Sequence, residues 1–338
     1  MPRLYLVLAL AAVAGCASTP PAPPAPAAEE VPPTAYAALG PGVRAAVEAG
    51  YYDPREFSEA RWARFWTDVD RVLAESRTDR EVQVGFRRAA DALGVSHLDL
   101  YRPDPDGPAV ADTSAPVTVA FGDDGVAVLT VHGRFGVDRT IRPVAEAFGR
   151  VAAEGPRALV IDLRQNQGGD VSSMLLASHL IDSPAPAGLF LSRTWWDTHD
   201  AVPPPSEWSS LPLLTSPDMD AFFGALELHG ALVGFVPPMP PHYGGPVYVL
   251  TGPRTGSASE PLVYLLQSTG RATVVGQRTA GAMVSATTTD LPGGWVLQHP
   301  VADYYTADGT RLDQVGVTPD VVVPLGEALA EARRLATE

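Results

Sequence analysis

The chain has 338 residues, a mass of 35.6 kDa and a formal charge of −15, with 46% hydrophobic and 19% charged residues. That composition supports a packed core of one or two domains and excludes a disordered chain, while the acidic balance repels a nucleic-acid backbone. All 24 basic residues are arginine, so the absence of lysine excludes any mechanism that uses a lysine base.

Met1, Pro2 and Arg3 precede an apolar run over 4–15. The run is shorter than the ~20 residues needed to cross a bilayer and suits the middle of an export signal. It ends in Val13-Ala14-Gly15-Cys16, which resembles the lipobox of bacterial lipoproteins. The resemblance implies that 1–15 is a signal peptide and that Cys16, the single cysteine, becomes the lipid-modified N-terminus. In that pattern Ala17, where aspartate would cause retention, favours the outer membrane, periplasmic side. Residues 16–33 hold seven prolines with alanine and a glutamate pair, a semi-rigid spacer that cannot form a core.

Residues 34–110 read as a helical N-terminal subdomain. Helices are expected over 35–49 and 57–75, and a third opens on Thr78-Asp79-Arg80-Glu81, a capping-box pattern. Trp62, Trp66, Val69 and Leu73 fall at helical spacing and form a packed face. From 111 to 338 the pattern becomes α/β. Strands are expected at 117–121, 125–131, 158–163, 247–251 and 273–276, with helices at 141–153, 171–181 and 257–268. Residues 182–245 form a long proline-rich segment with Trp195, Trp196 and Trp208, which reads as a lid or cleft wall, or as a packed insertion.

Three segments carry chemistry. The strand at 158–163 runs into Asp162-Leu163-Arg164-Gln165-Asn166-Gln167-Gly168-Gly169, where a glycine pair and a helix start can present backbone N–H groups to an anion. Thr255-Gly256-Ser257-Ala258-Ser259-Glu260 places a serine at a helix start, although Ser257 with Glu260 also fits a capping box and Ser259 is a rival nucleophile. Ser96-His97 follows the third helix.

Together with Gly276-x-x-Thr279-x-Gly281 and Gly316-Val317-x-Pro319-Asp320, these segments resemble the S41 peptidases, a group that includes C-terminal processing proteases, the tricorn core and interphotoreceptor retinoid-binding proteins. The resemblance implies a ClpP/crotonase-like α/β core with Ser257 as nucleophile. It makes the Ala258 amide and that of Gly168 or Gly169 the oxyanion donors. Many members pair serine with a lysine just after the T-x-G element, where this chain has Ala282. The tricorn branch uses histidine instead. Its pattern makes His97 the base, Asp313 the group that orients and charge-stabilises the imidazole, and Ser96 a support. His179 is the runner-up base, and Asp162 and Arg164 read as scaffold. The remaining histidines show no metal-ligand spacing, and the implied chemistry needs no metal or organic cofactor.

The stretch between His97 and 117 is too short for a PDZ module of ~80–100 residues. The expected function is therefore a lipid-anchored cell-envelope serine peptidase acting on peptides or proteins through its cleft. The alternatives are a non-catalytic binder of hydrophobic ligands or peptides on the same fold, and an esterase. The sequence leaves the oligomeric state open.

Overall fold

The computed structural model describes residues 36–103 and 115–338. The expected export signal, Cys16 and the proline-rich spacer lie outside the described residues.

Three amphipathic helices open the described chain: α1 (Gly40–Gly50), α2 (Glu59–Glu75) and α3 (Asp79–Leu93). The Ser58 side chain accepts from the Arg61 N–H at the start of α2, and Thr78 Oγ1 accepts from the Glu81 N–H at the start of α3. Glu81 in turn accepts the Arg77 N–H, so the capping box forms one residue upstream of its usual reciprocal partner. Gly94 ends α3 with φ 82°, a left-handed turn that glycine adopts without strain. The chain then passes Ser96 and His97 into β1 (Asp99–Tyr101).

One sheet has the order β12-β9-β8-β4-β3-β2, built from β2 (Val117–Phe121), β3 (Val126–Val131), β4 (Ala158–Asp162), β8 (Val247–Thr251), β9 (Thr273–Gly276) and β12 (Val321–Val322). Its neighbours run parallel except β2 against β3. Burial on both faces explains why β4 reads as a continuous apolar run. Leu159 and Ile161 face the main core, whereas Ala158 and Val160 face a smaller cluster shared with Ala328 and Ala332 of α9 (Ala328–Leu335). Helix α4 (Val137–Glu154) covers the main-core face with Val144, Ala147, Phe148 and Val151. It begins four residues earlier than the sequence predicts, because Thr140 closes its first turn by bonding both the N–H and the C=O of Gly136.

The second sheet has the order β1-β11-β5-β7-β6, with β10 (Val284–Leu291) paired to the long β11 (Trp295–Tyr305). Residues 182–245 supply β5 (Ala185–Ser192), α6 (Arg193–Trp196), β6 (Leu213–Leu214), α7 (Met219–His229) and β7 (Ala231–Val236). This segment is thus part of the sheet itself. Leu189, Leu191 and Val233 pack against the N-terminal helices, while Phe190 and Leu232 turn into the main core. Trp195, Trp196 and Trp208 join the helix-side cluster and lie in packing, not over the cleft. The helix predicted over 171–181 shrinks to α5 (Ser173–Ser178).

Candidate active site

Ser257 sits in the turn between β8 and α8 (Ser259–Ser268) with φ 52°, a left-handed conformation costly for serine. Its surroundings hold it there. Thr255 Oγ1 donates to the Leu163 carbonyl at 2.8 Å, and the Gly256 N–H donates to the Asn166 carbonyl at 3.2 Å. The Ser257 N–H donates to Glu260 Oε2 at 3.0 Å. Only that half of the expected capping box forms, because Ser257 Oγ lies 3.2 Å from His97 Nε2. Ser259, the rival hydroxyl, is fully buried and donates to Asn166 Oδ1 at 2.7 Å, which removes it from the reaction.

Glu260 is buried and accepts four bonds: from Ser257 and Ala282 N–H on Oε2, and from Thr279 Oγ1 and Gly281 N–H on Oε1, all between 2.6 and 3.0 Å. Burial pushes its carboxyl above the ordinary range, against the pull of these donors. The sequence reading anticipated the bond to the Ser257 amide as half of a capping box and missed the other three, whose donors lie 19 to 22 residues away.

His97 also has a left-handed backbone, with φ 58°. Its Nδ1 lies 2.9 Å from Ser96 Oγ, so a proton on Nδ1 leaves Nε2 free to accept from Ser257. Burial pushes the imidazole below its ordinary value of 6.5, the Asp313 charge opposes that shift, and Arg134 and Arg87 add to it. The lowered value favours the neutral imidazole at neutral pH, the form a base needs.

Asp313 acts on His97 indirectly. It forms no hydrogen bond to His97, whose Nδ1 is taken by Ser96. Its carboxylate, wholly buried, instead accepts the Met283 N–H at 3.0 Å and the Ser96 N–H at 3.3 Å. Asp313 thus fixes the backbone that carries the imidazole and acts on it through charge. The shorter aspartate reaches the amide of the residue before the histidine. Arg311 stands 3.9 Å from Asp313 and ties it to a buried cluster with Asp303, Glu56 and Tyr52.

Gly168 also changes role. Its N–H donates to Asn166 Oδ1 at 2.9 Å and is spent. What the position requires is the absence of a side chain, since a Cβ there would lie 2.4 Å from Ser257 Cβ, at φ +92°. The Gly169 and Ala258 amides find no acceptor among the described residues, and these are the donors left for an oxyanion. Asp162 and Arg164 pair with each other at 2.7 Å, and Arg164 holds the Leu325 carbonyl, as scaffold. His179 is buried, stacks on Phe148 and bonds the Pro241 carbonyl through Nδ1, away from Ser257.

Residues 126–323 match the profile of peptidase family S41. The chain belongs to that family. Ser96 and His97 precede the matched stretch, so the imidazole of this S41 chain comes from outside the most recognisable part of its sequence. Over 181 residues, 54% of the chain, it is 28% identical to the carboxyl-terminal-processing protease of Picosynechococcus sp., of which the match spans 35%. It is also 28% identical over 182 residues to the chloroplastic C-terminal processing peptidase of Tetradesmus obliquus, spanning 54% of this chain and 32% of that protein. The chain therefore spans about a third of the length of these curated relatives. Among solved structures it is similar in fold to a lipoprotein from Streptococcus agalactiae, with a TM-score of 0.58, 16% identity and coverage of 89% and 96% of the two chains. The photosystem II D1 C-terminal processing protease gives 0.51, with 16% identity and coverage of 90% and 97%. This agrees with the α/β fold expected of the S41 motifs.

A cleft opens beside Ser257 and His97. Met174, Phe190, Phe222, Phe223, Val236 and Tyr304 line it, several of them from residues 182–245. This S41 chain therefore builds an apolar wall next to its serine from the proline-rich segment.

Proposed function

We propose that this protein is a serine peptidase that cleaves peptides or proteins by acyl transfer through Ser257. The observation that carries the reading is the 3.2 Å approach of His97 Nε2 to Ser257 Oγ, beside two backbone amides without acceptors. His97 takes the serine proton as Oγ attacks the scissile carbonyl, and the resulting oxyanion lies against the N–H of Gly169 in the loop after β4 and that of Ala258 at the start of α8. His97 then protonates the leaving amine, and water repeats the sequence on the ester. Ser96 holds the Nδ1 proton, and Asp313 stabilises the imidazolium by charge. Hydrolysis of a peptide library by the full chain, absent in Ser257→Ala, is the expected result. Cleavage of esters but no peptide would favour the esterase reading. A well-folded protein that hydrolyses neither but retains an apolar ligand would favour the binding reading, which the apolar cleft also suits.

The rate should rise with pH along a single acidic limb, since the base must be neutral. Because burial lowers the His97 value, the midpoint of that limb in kcat/KM is expected below 6.5, and a midpoint above 6.5 would contradict the desolvated site. For location, the lipobox-like run before Cys16 supports anchoring in the cell envelope by a lipid on that cysteine. Palmitate labelling that disappears in Cys16→Ser would support it, and equal labelling would refute it.

A further inference from the structure

The main cleft is apolar, yet one hydroxyl in its wall is left without a partner. Ser173, the first residue of α5, is 1% exposed, and its Oγ finds no hydrogen-bond partner among the described residues. The other buried hydroxyls of the wall are engaged: Tyr304 donates to the Ala187 carbonyl, and Ser178 donates to the Met174 carbonyl at 3.4 Å. A buried, unpaired hydroxyl is costly, and such groups persist where a ligand completes them. Met174, Phe190 and Phe222 share the wall with Ser173, so whatever reaches the hydroxyl must bury apolar surface on the way.

We propose that Ser173 is a specificity-determining residue. Its hydroxyl bonds the side chain that enters the cleft and selects a substrate residue that is apolar along its length and carries one hydrogen-bonding group. This rests on the acyl-transfer reading of Ser257, which supplies the scissile bond next to the cleft. Tyrosine against phenylalanine, and threonine against valine, are the matched pairs that separate this from an indifferent apolar pocket. A site that pairs a substrate hydroxyl penalises the analogue lacking it, because the protein group is then left buried and unpaired.

The test measures binding and turnover separately. Acetyl-tripeptide amides ending in each of the four residues are titrated calorimetrically into the full chain carrying Ser257→Ala, with and without Ser173→Ala. The corresponding anilides are assayed with the active protein. For at least one pair the hydroxyl-bearing member is expected to bind about tenfold tighter, with the preference abolished by Ser173→Ala. The Tm of Ser173→Ala should be unchanged or higher, since no internal bond is lost, whereas a structural hydroxyl would lower it. Equal affinities within both pairs, or a preference that survives Ser173→Ala, would overturn the assignment. Intact discrimination in binding without any turnover would support Ser173 and overturn the acyl-transfer reading instead.

Discussion

Replacing His97 with asparagine is expected to lower kcat/KM for peptide hydrolysis by a factor on the order of 10⁴ or more, the scale seen when a triad base is lost. Asparagine suits the test because it tolerates the left-handed backbone of this position, where φ is 58°, better than alanine. The fold should survive, and the loss should appear in kcat with KM little changed, because the imidazole acts on the serine proton rather than on the bound substrate. Combining the change with Ser257→Ala should add almost nothing, since the two groups work as a unit. A variant that kept more than about a tenth of wild-type activity would mean that another base serves Ser257, the loss of even one essential group being far larger than that.

Glu260→Gln should be nearly as damaging, for a different reason. Four donors converge on one buried carboxylate: the N–H groups of Ser257, Gly281 and Ala282, and the Thr279 hydroxyl. A glutamine amide replaces one acceptor oxygen with a donor, so two of the four meet an N–H₂ group. Leaving buried donors unpaired costs about 1–3 kcal/mol each, and a total destabilisation of about 3–5 kcal/mol is expected in denaturant unfolding. Activity should fall as well, because the same carboxylate fixes the amide of Ser257 and the loop that passes Ala282. Glu260→Gln with an unchanged unfolding midpoint would show that the turn is held by the chain's own conformation.

The parts of the site legible in the sequence are those in which chemistry and local conformation coincide. Ser257 stands in a compact motif that both turns the chain and presents a hydroxyl, and the lack of lysine leaves a histidine such as His97 as the base. Asn166 and Gly168 were legible as a motif but not in their roles. One amide is consumed by the Asn166 side chain, and only the three-dimensional approach of Gly168 to Ser257 shows why a side chain is excluded. The family pattern supplied Asp313 as the partner of His97, but its route through the backbone N–H of Ser96 was hidden, because an amide has no sequence signature. Arg311 was hidden by distance, as its hydrogen-bond partner Tyr52 lies 259 residues away in the chain.

In the fold, the helix expected from 57 starts at Glu59 behind a Ser58 cap, whereas strand β2 and the cap of α3 followed directly from side-chain pattern. Strand β5 did not. It reads Ala-Pro-Ala-Gly-Leu-Phe-Leu-Ser, is buried on both faces along its second half, and shifts register between Pro186 and Gly188. Proline and glycine there mark an irregularity in a sheet strand rather than a loop.

The central claim is that Ser257 is an activated nucleophile. Fluorophosphonate labelling of the full chain, with the adduct located by peptide mass spectrometry, tests it without any knowledge of the substrate. A single adduct on Ser257 is expected, absent in Ser257→Ala, strongly reduced in His97→Asn and retained in Ser259→Ala. An adduct on Ser259, or no adduct on a well-folded wild-type protein, would contradict the account.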